Sequence, residues 1–216
     1  MTNITLYASI ASRSLTAFWM LEELGVPYVW KETDLKKRQH RSPEYLAINP
    51  TGRVPAIAVD GVVITERPAI CAYLADRFSY GELAPRIDAP ERGAYLKWLV
   101  YAAAALDPAL VLAQAGIAND KLKAHATWNS LDAVTAEIAD ALDGREWIAA
   151  QRFTAADVML GSVIAMALYN RLMPENATIR AYGDRVSARP ACQRAVARTW
   201  PPEVFGVAAQ DAGRAE

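Results

Sequence analysis

Residues 56–65 leave the chain little choice of local fold. Two short apolar runs, Ala56-Ile57-Ala58-Val59 and Val62-Val63-Ile64-Thr65, are joined by Asp60-Gly61. That pair accepts the positive φ angles of a type I′ turn, so a tight antiparallel hairpin is expected. A lone hairpin is marginal in water and needs more strands and a helix to cover it. The flanking sequence supplies them. Ile4–Tyr7 reads as a strand, and a polar loop with Ser9, Ser12, Arg13 and Ser14 follows it. A helix then runs to Leu24, with Ala17, Phe18, Met20, Leu21 and Leu24 on one arc and Gly25 just past its end. Tyr28–Thr33 alternates as a second strand, Pro43–Leu46 fits a short helix, and Pro68–Phe78 a longer one. The expected order is β-α-β-α-β-β-α.

Beyond the last of these helices the pattern changes. Residues 79–88 read as a linker, and no further hairpin is signalled. Helical periodicity covers Pro90–Ala113 and Leu122–Leu142, and Pro108 should bend or break the first of these. Thr154-Ala155-Ala156-Asp157 has the spacing of a capping box and opens a strongly apolar helix. The division expected is a small α/β domain over residues 1–79, the linker 80–88, an all-helical domain over 89–205 and a loosely ordered tail over 206–216.

Composition narrows the function classes. With 53% hydrophobic and 22% charged residues the chain can build a core, and 23 basic against 24 acidic residues give a net charge of −1. Neither nucleic acid nor an anionic membrane is an expected partner. Cys71 and Cys192 are the only cysteines, with no CxxC and no metal-ligand spacing, so neither a disulfide framework nor a metal is expected and a reducing cytoplasm fits. The first residues lack a basic region followed by an apolar run, and the apolar stretch Trp98–Leu106 is shorter than a bilayer span.

Four segments in order resemble the cytosolic glutathione S-transferases, serine-type and bacterial or theta-like. They are Leu21–Tyr28, Asn49-Pro50-Thr51-Gly52-Arg53-Val54-Pro55-Ala56, Ile64-Thr65-Glu66-Arg67-Pro68-Ala69-Ile70 and Phe153–Leu160. The resemblance implies a thioredoxin-like N-terminal domain and an all-α bundle. It further implies a homodimer, glutathione as co-substrate and an apolar electrophile as the second substrate. Conjugation is the activity implied first. A glutathione-dependent isomerase, dehalogenase or disulfide reductase, or a non-catalytic binding protein, can be built on the same fold.

The same resemblance assigns roles. A free thiol near pH 7 is only a few per cent ionised, so the reaction needs a group that favours the thiolate. Ser12 stands where serine-type members place that hydroxyl; the simpler reading is that it caps the helix. Tyr7 is the rival from tyrosine-type members, and Ser9 and Ser14 remain open because loop register is undetermined. A cysteine-type site is excluded, since the loop holds no cysteine. Val54-Pro55 is similar to the family's cis-proline pair, whose backbone meets the cysteinyl unit of the tripeptide as an added strand would. Glu66 corresponds to the acid that meets the glutamyl amino group. Arg67 departs from the usual serine beside it, and is read either as a carboxylate ligand or as a solvent or interface residue. His40 and Arg53, with Gln39, are expected near the glycyl carboxylate and the middle of the peptide; Lys36, Lys37, Arg38 and Arg41 form a basic face that would steer an anion. Tyr95, Trp98, Tyr101 and Trp200 are candidates for the apolar site, against the plainer reading of each as core.

Overall fold

A computed structural model describes residues 2–117, 128 and 130–200. It divides into two compact units: one holds the chain up to Ile70 and takes it back from Pro190, and the other is Cys71–Arg189.

The first unit contains β1 (Ile4–Ala8), α1 (Leu15–Leu24), β2 (Val29–Glu32), α2 (Pro43–Leu46), β3 (Ala56–Val59), β4 (Val62–Thr65), the start of α3 (Arg67–Phe78) and α9 (Pro190–Thr199). The four strands lie in the order β2-β1-β3-β4, with β1 and β2 parallel and the other pairs antiparallel. This is the mixed sheet of a thioredoxin-like fold. Asp60 and Gly61 carry φ angles of +50° and +86°, as the type I′ turn requires. Gly25 ends α1 at φ +63°, its N–H returning to the Leu21 carbonyl.

Every residue of α1 from Leu15 to Leu21 is buried, so the helix is covered beyond the arc read from its periodicity. The second cover is α9, which packs along α1. Arg194 reinforces it by donating to Glu22 Oε2 at 2.8 Å and to the Glu22 carbonyl at 3.1 Å.

The second unit is helical: the remainder of α3, α4 (Arg92–Tyr101), α5 (Asp107–Gln114), α6 (Leu131–Leu142), α7 (Ala155–Tyr169) and α8 (Ala177–Ser187). Pro108 does not break the chain between α4 and α5. Instead Ala102–Leu106 forms a π-helical turn, and the Asp107 N–H reaches back to the Ala102 carbonyl. A widened turn removes the clash between the proline ring and the carbonyl four residues earlier, so the helical run continues. The run Arg92–Gln114 is long and apolar enough to cross a membrane by length and composition. Its Leu99, Ala102 and Leu106 are buried, and it packs on α7.

The expected helix Leu122–Leu142 is interrupted at Ser130. Ser130 is extended, and its hydroxyl caps α6 by accepting from the Ala133 N–H at 3.1 Å. The start of that expectation lies largely outside the described residues, as does the expected tail 206–216.

The Thr154–Asp157 capping box is present and does more than cap. One Asp157 oxygen accepts from the Thr154 N–H at 2.8 Å and hydroxyl at 3.0 Å. The other accepts from the Ile148 N–H at 2.9 Å and the Tyr182 hydroxyl at 3.0 Å. This fully buried carboxylate therefore ties the start of α7 to α8 and to the segment before α7. Residues 81–83 are held within the same unit, Arg152 donating to the Gly81 and Glu82 carbonyls and the Ala155 N–H to that of Leu83.

Candidate functional site

Sheet register brings the candidate residues to one end of the first unit. Ala8 at the end of β1 lies beside Glu32 at the end of β2, and Tyr7 lies opposite Ala56 at the start of β3. Ala56 in turn faces Thr65 at the end of β4. The loop after β1, the basic loop after β2, the Val54-Pro55 pair and Glu66-Arg67 therefore all emerge at the same end of the sheet.

The loop after β1 forms a knot of hydroxyls. Ser12 Oγ donates to the Ser9 carbonyl at 2.8 Å, accepts from the Ser14 N–H at 3.1 Å and lies 2.9 Å from Ser14 Oγ. Ser14 Oγ accepts from the Ser9 N–H at 3.2 Å. Ser9 and Ser14 are buried, whereas Ser12 is half-buried and remains reachable. The Ser12 carbonyl accepts from the Leu15 N–H at 3.3 Å, so Ser12 opens the turn that leads into α1, while the N-cap position itself falls to Ser14. The Ser12 hydroxyl thus accepts from the Ser14 N–H while giving its own proton to the Ser9 carbonyl, so it must change partner to donate to anything else. Tyr7 is half-buried on β1, its ring edge-on to Tyr45 with centroids 6.4 Å apart and Lys31 Nζ 5.6 Å from its centre.

The Val54–Pro55 bond is cis, as the sequence motif leads one to expect. The residues before it are anchored from below. Tyr45 Oη and Asn49 Nδ2 both donate to the Arg53 carbonyl, while Asn49 Oδ1 accepts from the Thr51 N–H at 3.2 Å and its hydroxyl at 2.8 Å. Burial pushes the Tyr45 phenol up to about 12. It is thus the Arg53 carbonyl that is fixed, and the Arg53 residue itself is exposed.

His40 lies in a 3-10 turn, Gln39–Arg41, with Nδ1 buried and unpartnered. Gly52 packs against that turn at φ +62°, and a Cβ there would lie 2.8 Å from the His40 carbonyl oxygen. Asn49 and Tyr45 act as supports that the sequence marks only as residues with a polar tip in or beside a turn-rich segment.

Glu66 is exposed and holds φ +66°, an uncommon conformation for a non-glycine residue and one that clusters at functional sites. Arg67 does not point to solvent. It is 8% exposed, and Nη1 donates to Thr16 Oγ1 at 3.4 Å.

Among the aromatics proposed for an apolar site, Tyr95 and Trp98 are core residues. Tyr101 instead lines a groove of about 550 Å³ with Leu96, Lys97, Val100, Ala104 and Ala105, and donates to Glu137 at 2.7 Å. Trp200, half-buried, follows the end of α9. Cys71 and Cys192 are buried, and no group of three metal-ligating side chains occurs among the described residues.

The chain is similar to known proteins over most of its length. Residues 12–77 match the family described as glutathione S-transferase, N-terminal domain. Glutathione S-transferase GstA of Escherichia coli O157:H7 is 32% identical over 186 residues, covering 85% of this chain and 92% of that protein. A theta class glutathione S-transferase from Xanthomonas axonopodis pv. citri, solved with glutathione bound, superposes with a TM-score of 0.75 at 28% identity over 91% of this chain and 98% of that one. The glutathione transferase URE2P6 of Phanerochaete chrysosporium shares the fold at a TM-score of 0.78 and 22% identity, over 91% and 96% of the two chains.

Proposed function

The chain belongs to the glutathione S-transferase family, and from that premise we propose that it joins the glutathione thiolate to small apolar electrophiles, with Ser12 supplying the activating hydroxyl. The observation that carries this reading is the half-buried Ser12 hydroxyl at the entry to α1, at the same end of the sheet as Val54 and Glu66. A hydroxyl donated to sulfur and the positive end of a helix both favour the anion. Val54 offers its backbone to the cysteinyl unit, Glu66 its carboxylate to the glutamyl ammonium, and His40 with Arg53 the glycyl end. The apolar co-substrate, the homodimer and the cytoplasmic setting are carried over from the resemblance.

Thiolate absorbance of bound glutathione, titrated against pH, tests the assignment. Ser12→Ala should raise the bound thiol pKa by about 1–2 units, the scale of one lost hydrogen bond to an anion, while Tyr7→Phe leaves it in place. An unchanged titration in Ser12→Ala would remove Ser12 from the role.

One observation favours a second reading. Ser12 gives its proton to the Ser9 carbonyl, and a hydroxyl that kept that partner with ligand bound would leave a binding protein without turnover. Retention on immobilised glutathione, with no conversion of an aryl halide, an α-keto ester enol or a small disulfide, would favour it.

A further inference from the structure

Arg67 follows directly on Glu66, whose left-handed backbone turns the chain into α3. The guanidinium is thereby brought inside the unit. One of its contacts, Thr16 Oγ1, is itself 1% exposed and belongs to the first turn of α1. That turn carries no acidic residue, so the positive helix end is not offset from within. The Ser12–Ser14 hydroxyls lie immediately upstream, and the Thr16 N–H donates to the Arg13 carbonyl at 3.4 Å. A side chain buried this deeply is poorly placed to meet a ligand carboxylate arriving from solvent.

We propose that Arg67 is a positioning residue: through Thr16 it braces the opening turn of α1, and it adds a fixed positive charge behind the hydroxyl that faces the bound sulfur. The inference rests on the reading that this loop holds the glutathione thiol. Arginine suits the task because it stays charged when buried and its rigid fork directs the hydrogen bond. The role replaces that of a carboxylate ligand, which the residue's place in the sequence would also allow.

The test titrates the thiolate of bound glutathione in the wild type, Arg67→Met, Arg67→Lys and Thr16→Val. It also measures dissociation constants for glutathione and for 4-aminobutyryl-Cys-Gly, which lacks the glutamyl α-carboxylate. Arg67→Met should raise the bound thiol pKa by about 1 unit, and Arg67→Lys, which keeps the charge, by less than about half of that. Thr16→Val should raise it too, and Arg67→Met should weaken both ligands by a similar factor. An unmoved thiol titration, with affinity lost for glutathione but not for the analogue, would make Arg67 a carboxylate ligand and overturn the proposal. Should Arg67→Met fail to fold, unchanged titrations in both Arg67→Lys and Thr16→Val overturn it equally. A wild type that binds no glutathione would instead defeat the parent reading, and this one with it.

Discussion

The Ala11 amide donates to the carbonyl of Thr199 at 2.8 Å, fastening the loop that carries Ser12 to the last turn of α9. Ala11 sits at φ +48°, a conformation an L residue keeps only where its surroundings hold it. A segment far along the chain thus helps to fix the loop that carries the Ser12 hydroxyl.

It follows that disturbing α9 should be felt in the loop. Ala195 is fully buried in that helix, and Ala195→Leu overpacks it at a cost of about 1–3 kcal/mol. In that variant the Ala11 amide should exchange with solvent deuterium much faster than in the wild type, with helical content retained. Unchanged protection of Ala11 would show that the loop does not depend on α9.

Gly52 should not tolerate a side chain. Its φ is +62°, and an added Cβ would lie 2.8 Å from both Arg41 Nη1 and the His40 carbonyl oxygen. Arginine can swing aside, but main-chain oxygen cannot. We expect Gly52→Ala to lose about 2–3 kcal/mol in chemical denaturation. Calorimetric titration should also find weaker binding of glutathione. A variant as stable as the wild type would contradict this.

Asp157 serves as acceptor for buried donors from three places in the helical unit. Removing it strands the Ile148 and Thr154 N–H groups and the Tyr182 hydroxyl. Asp157→Ala should therefore cost about 3 kcal/mol or more in urea unfolding. A loss below about 1 kcal/mol, the usual worth of a cap alone, would show that the wider network contributes nothing.

Stability should fall on the alkaline side. Burial pushes Tyr45 up to about 12, and burial with the Glu22 carboxylate does the same for Tyr28 against the opposing Arg198. The unfolded phenols ionise near ~10. Above that pH the native state holds protons that the unfolded chain has released, so the contribution is complete below pH ~10 and is lost as pH rises toward about 12. Denaturation midpoints measured from pH 9 to 11.5 should decline, and less steeply in Tyr28→Phe and Tyr45→Phe. Equal slopes in all three proteins would rule this out.

Much of this molecule is written locally. The Asp60-Gly61 hairpin, the Gly25 stop and the Thr154–Asp157 box each depend on backbone preferences and hydrogen bonds within a few residues, which spacing records; the cis Val54-Pro55 bond was expected through the family resemblance. Hydrophobic periodicity likewise marked α1, the run Arg92–Gln114 and the body of α6, since one buried face suffices to reveal a period.

What spacing could not record is which distant partner covers the other face. The docking of α9 on α1, the tether from Ala11 to Thr199 and the inward turn of Arg67 onto Thr16 join segments far apart in the chain. The loop serines were visible as a set, but which hydroxyl stays accessible was decided when burial closed over Ser9 and Ser14 and left Ser12 only half-buried. The π turn before Pro108 belongs to the same class. The proline fixed where a normal turn would fail, and the packing of Leu99, Ala102 and Leu106 kept the helix going through it.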